Sequence, residues 1–190
     1  MRLEFPPFAL ERGLVFRTLL ALQQFSLNFD LYVEGAPYPF TPANIHRRLN
    51  SKLYQRLKAP LIWLRVLRKI NQGLAVCRDK AAAGALLPVI RKLWAGCAIP
   101  LHLGVPPQAG YGGAGDTLRQ EVLAVREDLE AAGCQVTVKE IAALAAGGPP
   151  PEVTKDYGLV AVSLERAIKK DSPELQGLAQ VKAPLLLVLR

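Results

Sequence analysis

The sequence predicts an α/β (α+β) fold, in which a basic helical N-terminal region is followed by a small sheet covered by helices. The chain has 190 residues, 51% of them hydrophobic, which is enough to bury a core. After Gly73, helix-like and strand-like segments alternate. Basic residues are concentrated before that point. We therefore divide the chain into an extended, apolar N-terminal segment (1–40), a basic amphipathic helical region (41–72) and a small α/β domain (73–190).

The N-terminal segment holds two predicted pieces. Residues 9–25 are apolar and compatible with a helix. Residues 29–40 are aromatic and rich in proline, and Pro37 and Pro39 exclude a regular helix, so this piece is predicted to be extended. We expect it to lie across a partner surface rather than to fold on itself.

The basic region begins with a helix signal, because Thr41 supplies a capping hydroxyl and Pro42 suits the first helical position. Apolar residues then recur every fourth position, at Ile45, Leu49, Leu53 and Leu57. A basic stripe runs about 100° away around the same helix, at Arg48, Lys52 and Arg56. Pro60 should kink or end this helix, and the helical pattern is expected to continue over residues 61–70.

The C-terminal domain is predicted from alternating patterns. Helices are expected over residues 80–94 and 117–132, the second ending at Gly133, with a short helix reaching residue 146. A helical or irregular stretch is expected to reach residue 180. Strands are expected over residues 98–105, 134–140, 158–163 and 184–189. Because each strand lies near a helix, a sheet covered on one or both faces follows.

Charge is the strongest functional signal. Between Ile45 and Lys92 there are twelve Lys or Arg residues and one acid, Asp79, so this segment is net +11 in a chain of net +8. Such clustering indicates an anionic partner, which could be nucleic acid, acidic lipid or an acidic protein. Nearby Tyr54 and Trp63 favour RNA, since aromatic rings stack on bases. The predicted phosphate contacts are Arg47, Arg48, Lys52, Arg56, Lys58, Arg65, Arg68 and Lys69.

A glycine pattern follows the strand predicted at residues 98–105. Gly110, Gly112 and Gly115 satisfy G-x-G-x-x-G, the pattern that lets a dinucleotide approach a helix N-terminus. Four residues separate the predicted strand from the first glycine, and Asp116 would lie close to a phosphate. We therefore favour a surface loop over cofactor binding.

No residue pattern predicts catalysis or a metal site. His46 and His102 lack neighbours at ligand spacing, and Ser163 lacks the G-x-S-x-G context of a nucleophile. The three widely spaced cysteines, Cys77, Cys97 and Cys134, are interpreted as buried thiols. We expect no cofactor, no metal and no enzymatic activity.

Part of the domain resembles a known family. The helix-like segment 123–133 ends at Gly133 and leads into the strand-like segment Val136-Thr-Val-Lys139. Residues 157–163 and 181–187 are two further strand-like segments. Over residues 85–190 this order resembles the N-terminal domain of the large-subunit stalk-base ribosomal proteins, particularly the mitochondrial branch. The resemblance implies that Lys139 contacts ribosomal RNA. The helix ending at Gly133 is also similar to the anticodon-binding domain of class II aminoacyl-tRNA synthetases.

These observations lead to three functional interpretations. The preferred one is a non-catalytic structural component of a ribosome, with the mitochondrial large subunit favoured, located in the matrix and partnered by ribosomal RNA and ribosomal proteins, with no small-molecule substrate. The second is an accessory subunit of a membrane-bound respiratory complex, partnered by acidic lipid and other subunits. The third is a small nucleotide-dependent enzyme that uses the loop over residues 110–115.

Overall fold

The computed structural model describes residues 31–65, 69–107, 112–142, 144 and 151–190, with side chains described throughout except at 112–116 and 151. Three of the sequence-based expectations lie outside these residues. They are the helix predicted over residues 9–25, the position of Arg68, and the conformation of residues 108–111 that include Gly110.

The described chain forms one seven-stranded sheet with the order β1-β2-β7-β6-β3-β4-β5. The strands are β1 (Tyr32–Gly35), β2 (Leu61–Leu64), β3 (Gly73–Val76), β4 (Leu101–Val105), β5 (Val136–Glu140), β6 (Leu159–Leu164) and β7 (Leu185–Leu189). The helices are α1 (Pro42–Leu49), α2 (Lys52–Arg56), α3 (Lys80–Trp94), α4 (Gly112–Ala131), α5 (Pro151–Thr154) and α6 (Pro173–Gln180).

Five of the strands, in the order β7-β6-β3-β4-β5, form a parallel sheet. β3 lies near the middle, where Val76 is in register with Gly104 of β4 and with Val162 of β6. The antiparallel strand β2 pairs with the outer side of β7, and β1 pairs in parallel with β2. All residues of β3 and β6 are buried, as continuous apolar runs in two-sided parallel sheets usually are.

Helices cover both faces of this sheet. Alternate strand residues, such as Ala75 and Leu103, join the hydrophobic cluster that contains α3 and α4. Their neighbours, such as Leu74 and Val76, join the cluster that contains α1 and α6. The mixed α/β fold predicted from the sequence is therefore confirmed.

Local signals were correct at the start of α1 and at the end of α4. The hydroxyl of Thr41 accepts a hydrogen bond from the backbone N–H of Asn44 at 3.3 Å, and Pro42 begins α1. Gly133 follows α4 with a φ of +83°, in the left-handed region that glycine tolerates. The backbone N–H of Cys134 then donates to the carbonyl of Leu129 at 2.9 Å, which closes the helix end.

Three strands in the N-terminal half were not predicted as parts of the sheet. Residues 61–64, predicted to be helical, form β2, since Leu61 and Trp63 are buried while Leu64 is exposed, an alternation with the period of a strand. β3 was not predicted, because Gly73–Val76 is too short to show a period. Residues 32–35, expected to lie on a partner, form β1 and pair with the chain's own sheet. The boundaries of the three predicted segments stay a prediction.

Membrane-spanning potential was searched in the helices that the structure describes. None of them is both long enough and apolar enough to cross a bilayer.

Two glycines provide a matched test of packing in this fold. A Cβ at Gly158 would lie 2.7 Å from Cα of Ile70 and 3.0 Å from the backbone N of Asn71, whereas a Cβ at Gly84 of α3 would meet no atom within 4 Å. We expect Gly158→Ala to lower the free energy of unfolding by about 1–3 kcal/mol. Gly84→Ala should raise it by up to about 1 kcal/mol. Urea unfolding of both variants measures the difference, and equal effects would contradict the described backbone contact.

Candidate binding site at the carboxyl edge of the sheet

The connections after β3 and β6 diverge at the carboxyl edge of the parallel sheet, and we call the place between them the crevice. The chain leaves β3 for α3, on one face of the sheet, and leaves β6 for α6, which packs in the cluster on the other face. β3 and β6 are neighbours, so this is a topological switch point. Open α/β sheets bind ligands beyond the carboxyl ends of their strands at such points.

Arg78 bridges this crevice. It follows β3, and its Nη1 lies 2.6 Å from Oε1 of Glu174, in the first turn of α6. Its Nε lies 3.0 Å from Oδ2 of Asp79. The other oxygen of Asp79 accepts a hydrogen bond from the backbone N–H of Ala82 at 2.7 Å and caps α3. The first turns of α3 and α6 are thus joined through one guanidinium group.

The carboxylate of Glu174 is held in its charged form. Partial burial alone would raise its pKa, but its own backbone N–H, the charge and hydrogen bond of Arg78, and the hydroxyl of Ser172 together outweigh burial. The net effect is a pKa below the ordinary value. The pair therefore persists at neutral pH.

Two buried polar atoms at the same edge lack hydrogen-bond partners among the residues that the structure describes. They are the hydroxyl of Ser163, a residue that is 4% exposed, and Nε of Arg190. Ser163 is in register with Val188 of β7, two residues before Arg190, so both side chains point to the α3 face of the sheet. Arg190 also approaches Glu165, with 3.6 Å between Nη2 and Oε1. Buried donors of this kind call for a partner.

Cys77 lies on the same face of the sheet, beside this crevice, and is unreactive. Its thiol is fully buried in the cluster beneath α3. Burial, and then the charge of Asp79, raise the pKa of the thiol to about 12, so it remains protonated at neutral pH. Cys134 is also buried, and Cys97 is partly exposed. The interpretation of the cysteines as buried thiols is confirmed for two of the three.

The predicted phosphate contacts do not form one surface. Arg48 pairs with Glu34 at 2.9 Å, and Arg65 stacks over the ring of Phe40, 4.0 Å from its centroid. Lys139 lies on β5, at the opposite end of the strand order from β1. The remaining described members are exposed side chains on or near α1 and α2 and before β3: Arg47, Lys52, Arg56, Lys58 and Lys69. Their role as phosphate contacts stays a prediction.

Acids from distant parts of the chain neutralise much of the basic segment. Besides the pairs of Arg48 and Arg78, Arg91 pairs with Asp128 at 2.6 Å. Lys80 lies 3.8 Å from Glu121. The +11 of the linear segment therefore overstates the charge that any single face presents.

Sequence reasoning missed the residues of this crevice. Arg78, Glu174 and Arg190 belong to no motif, and Ser163 was considered only as a nucleophile. The one signal in the sequence was the position of Cys77-Arg78-Asp79, directly after a short apolar run and before a capped helix. Among the described residues, no group of three His, Cys, Asp or Glu side chains could hold a metal ion.

The Arg78–Glu174 pair predicts a specific pH dependence. Because the pKa of Glu174 is lowered in the folded state, its contribution is present above about pH 4.3 and lost as the pH falls through the folded value. We expect Glu174→Gln to lower the free energy of unfolding at pH 7 by at most about 1 kcal/mol, and the deficit to be smaller at pH 3 than at pH 7. Urea unfolding at both pH values tests this, with Glu152→Gln, an exposed glutamate on α5, as the control. A deficit that is independent of pH would contradict it.

Comparison with known proteins identifies the fold but no family. No protein-family model and no curated protein matches the sequence. A universal stress protein from Archaeoglobus fulgidus DSM 4304 shares 14% identity with a TM-score of 0.57, over 90% of this chain and 65% of that chain, just under two thirds of its length. A functionally unknown protein from Pseudomonas aeruginosa PAO1 shares 16% identity with a TM-score of 0.51, over 90% of this chain and 67% of that chain. A universal stress protein in complex with cAMP gives a TM-score of only 0.39, at 14% identity, over 64% of this chain and 98% of that chain.

These findings correct the functional interpretation. The resemblance to stalk-base ribosomal proteins is wrong, since two solved structures that share this fold with TM-scores above 0.5 are a universal stress protein and a functionally unknown protein. The ribosomal role, the ribosomal partners and the exclusion of a small-molecule ligand are wrong with it, and the respiratory and acidic-lipid alternative is set aside. The misleading pattern, a helix ending at Gly133 before Val136-Thr-Val138, is the ordinary helix-to-strand unit of a parallel sheet. Mitochondrial localisation and the absence of enzymatic activity stay predictions.

Proposed function

We propose that this protein binds a small phosphorylated ligand of the nucleotide class at the carboxyl edge of its parallel sheet. The observation that carries the proposal is the buried hydroxyl of Ser163, which has no partner among the described residues and lies beside the switch point between β3 and β6. An unsatisfied buried hydroxyl costs free energy, and a bound ligand atom would remove that cost.

The groups around Ser163 suit an anionic ligand. Nε of Arg190 is a second buried donor without a described partner, and it lies on the same face. α3 has fifteen residues, and its N-terminus begins directly after Asp79, next to the end of β3. The backbone N–H groups and dipole of a helix N-terminus favour phosphate. Together these groups can accept a phosphate without the basic helices α1 and α2.

The carboxylates of the crevice point to a ligand that is more than a phosphate. Asp79 and Glu174 both contact Arg78, so this corner carries one more negative than positive charge. Carboxylates repel phosphate but accept hydrogen bonds from sugar hydroxyls, as the acidic residue of dinucleotide-binding sheets does. A nucleotide with its ribose between Asp79 and Glu174 and its phosphate toward Ser163 and Arg190 matches both the carboxylates and the buried donors.

The glycine pattern fits the same location. α4 begins at Gly112, after β4, which is the neighbour of β3 in the parallel sheet. Gly112 and Gly115 of the G-x-G-x-x-G sequence lie in the first turn of this helix, which follows β4 in the chain. Because glycine has no Cβ, a helix start of this kind gives a nucleotide close access to backbone. The proposal is one of binding, since the neutral thiol of Cys77 offers no activated nucleophile.

The test is ligand binding measured by calorimetry and thermal unfolding with ATP, AMP and cAMP. A nucleotide at one hundred times its dissociation constant should stabilise the protein by about 2.7 kcal/mol. Ser163→Ala should weaken binding about 3–10-fold and Arg190→Gln about 10–100-fold, the ranges expected for a neutral and a charged hydrogen bond.

Ser163→Ala separates binding from folding. Because the hydroxyl has no described partner without ligand, its removal should leave the unliganded protein equally or more stable. Arg47→Gln, which removes one exposed charge from α1, is the control and should bind as the natural chain does. The proposal fails if no nucleotide binds, or if Arg47→Gln weakens binding as much as Arg190→Gln.

A further inference from the structure

A second polar cluster lies on the opposite face of the sheet, over β4 and β5. This face is covered elsewhere by α1 and α6, but the helix that follows β5, α5, has only four residues. Thr137 and Lys139 of β5 are exposed. Neither residue belongs to the crevice beside Ser163, because Ser163 points to the α3 face.

The cluster is built around the hydroxyl of Tyr157, whose side chain is buried. Nδ1 of His102 lies 2.8 Å from this oxygen, and Nζ of Lys139 lies 3.5 Å from it. The rings of His102 and Tyr157 pack edge to face, with 5.4 Å between centroids. The ammonium of Lys139 also lies 5.9 Å from the centroid of the tyrosine ring. β4, β5 and the turn before β6 thus bring one imidazole and one ammonium into contact with the same phenol oxygen.

The geometry fixes one hydrogen-bond direction in this cluster. Lys139 can only donate, so the oxygen of Tyr157 accepts from it. In the tautomer of neutral His102 that carries its proton on Nε2, Tyr157 donates its own proton to Nδ1. Burial, and then the charge of Lys139, lower the pKa of His102, which keeps the ring neutral at pH 7. In that tautomer, Nε2–H and the remaining protons of Lys139 are both available as donors.

No carboxylate among the described residues forms an ion pair with Lys139. The adjacent Glu140 points to the other face, where it pairs with Arg119 at 2.6 Å. Lys155 and Asp156, which precede Tyr157, are exposed, and neither contacts the cluster by a hydrogen bond or ion pair. The cluster therefore carries an uncompensated positive charge beside a ring that can take a second one.

We propose that His102, Tyr157 and Lys139 form a second binding site, which takes a phosphate-class oxyanion on the open face of β4 and β5. The anion accepts hydrogen bonds from the ammonium of Lys139 and from the imidazole of His102, and Tyr157 fixes the distance between the two. A bound anion also offsets the repulsion between Lys139 and a protonated His102. Binding should therefore be tighter to the protonated imidazole, and the anion should raise the pKa of His102.

The titration of His102 can be resolved by NMR, because the chain contains two histidines, His46 and His102. The imidazole signals are followed by NMR from pH 5 to pH 8, with and without inorganic phosphate, in the complete protein. We expect saturating phosphate to raise the pKa of His102 by about 1 unit, which corresponds to about tenfold tighter binding to its protonated form. His46, on α1, is the internal control and should not respond beyond the effect of ionic strength.

Two variants distinguish binding at this cluster from binding at the crevice. Lys139→Gln removes an exposed side chain and should abolish the phosphate response, whereas Arg190→Gln, which is expected to weaken binding at the crevice, should leave it unchanged. A response retained in Arg190→Gln makes this test independent of nucleotide binding at the crevice. AMP titrated in parallel distinguishes a phosphate monoester from the free anion, and a response to either probe supports the site.

The proposal is overturned if phosphate and AMP leave the His102 titration unchanged, if sodium chloride at matched ionic strength produces the same change, or if Lys139→Gln responds like the natural chain.

Discussion

The parallel pairing of β3 with both β4 and β6 is the constraint on which the rest of the molecule depends. A strand paired in parallel on both sides can be connected to its neighbours only by crossovers, so helices must cover the sheet. At the amino end of β3, a Cβ on Gly73 would come within 2.5 Å of the ring of Trp94. The indole of Trp94 closes that end, while the carboxyl end opens into the crevice beside Arg78.

The two ends of the sheet consequently have different chemistry. The hydroxyl of Tyr157, near the amino end of β6, has two partners among the neighbouring side chains. At the carboxyl end, Ser163 and Arg190 keep buried atoms without described partners. Helix starts and strand ends bring backbone groups and short polar side chains together there. A site arises at this edge because regular structure ends, and residues that follow a strand need no common motif.

Helices with a local sequence signal were predictable from the sequence, whereas the pairing between strands was not. The bounds of α3 and the glycine end of α4 follow from periodicity and from the φ that Gly133 requires. β2 and β3 could not be predicted locally, because the strands that they pair with are far away in the sequence. Trp63 pairs with Leu185, and Leu74 pairs with Val160. The crevice could not be predicted for the same reason. Arg78 and Glu174 meet only when β3 and β6 are neighbours, and the charge of residues 45–92 is redistributed by acids of α4 and α6.

The antiparallel contact between β2 and β7 has a consequence for biosynthesis. Leu61 is in register with Leu187, so one of the first strands to leave the site of synthesis must wait for one of the last. At typical elongation rates of about 5–20 residues per second, the wait is on the order of ten seconds. During that time the apolar side chains of Leu61 and Trp63 have no sheet to enter. The N-terminal half of the nascent chain therefore exposes apolar side chains. Holdase chaperones that recognise exposed apolar segments would encounter it before the fold is complete.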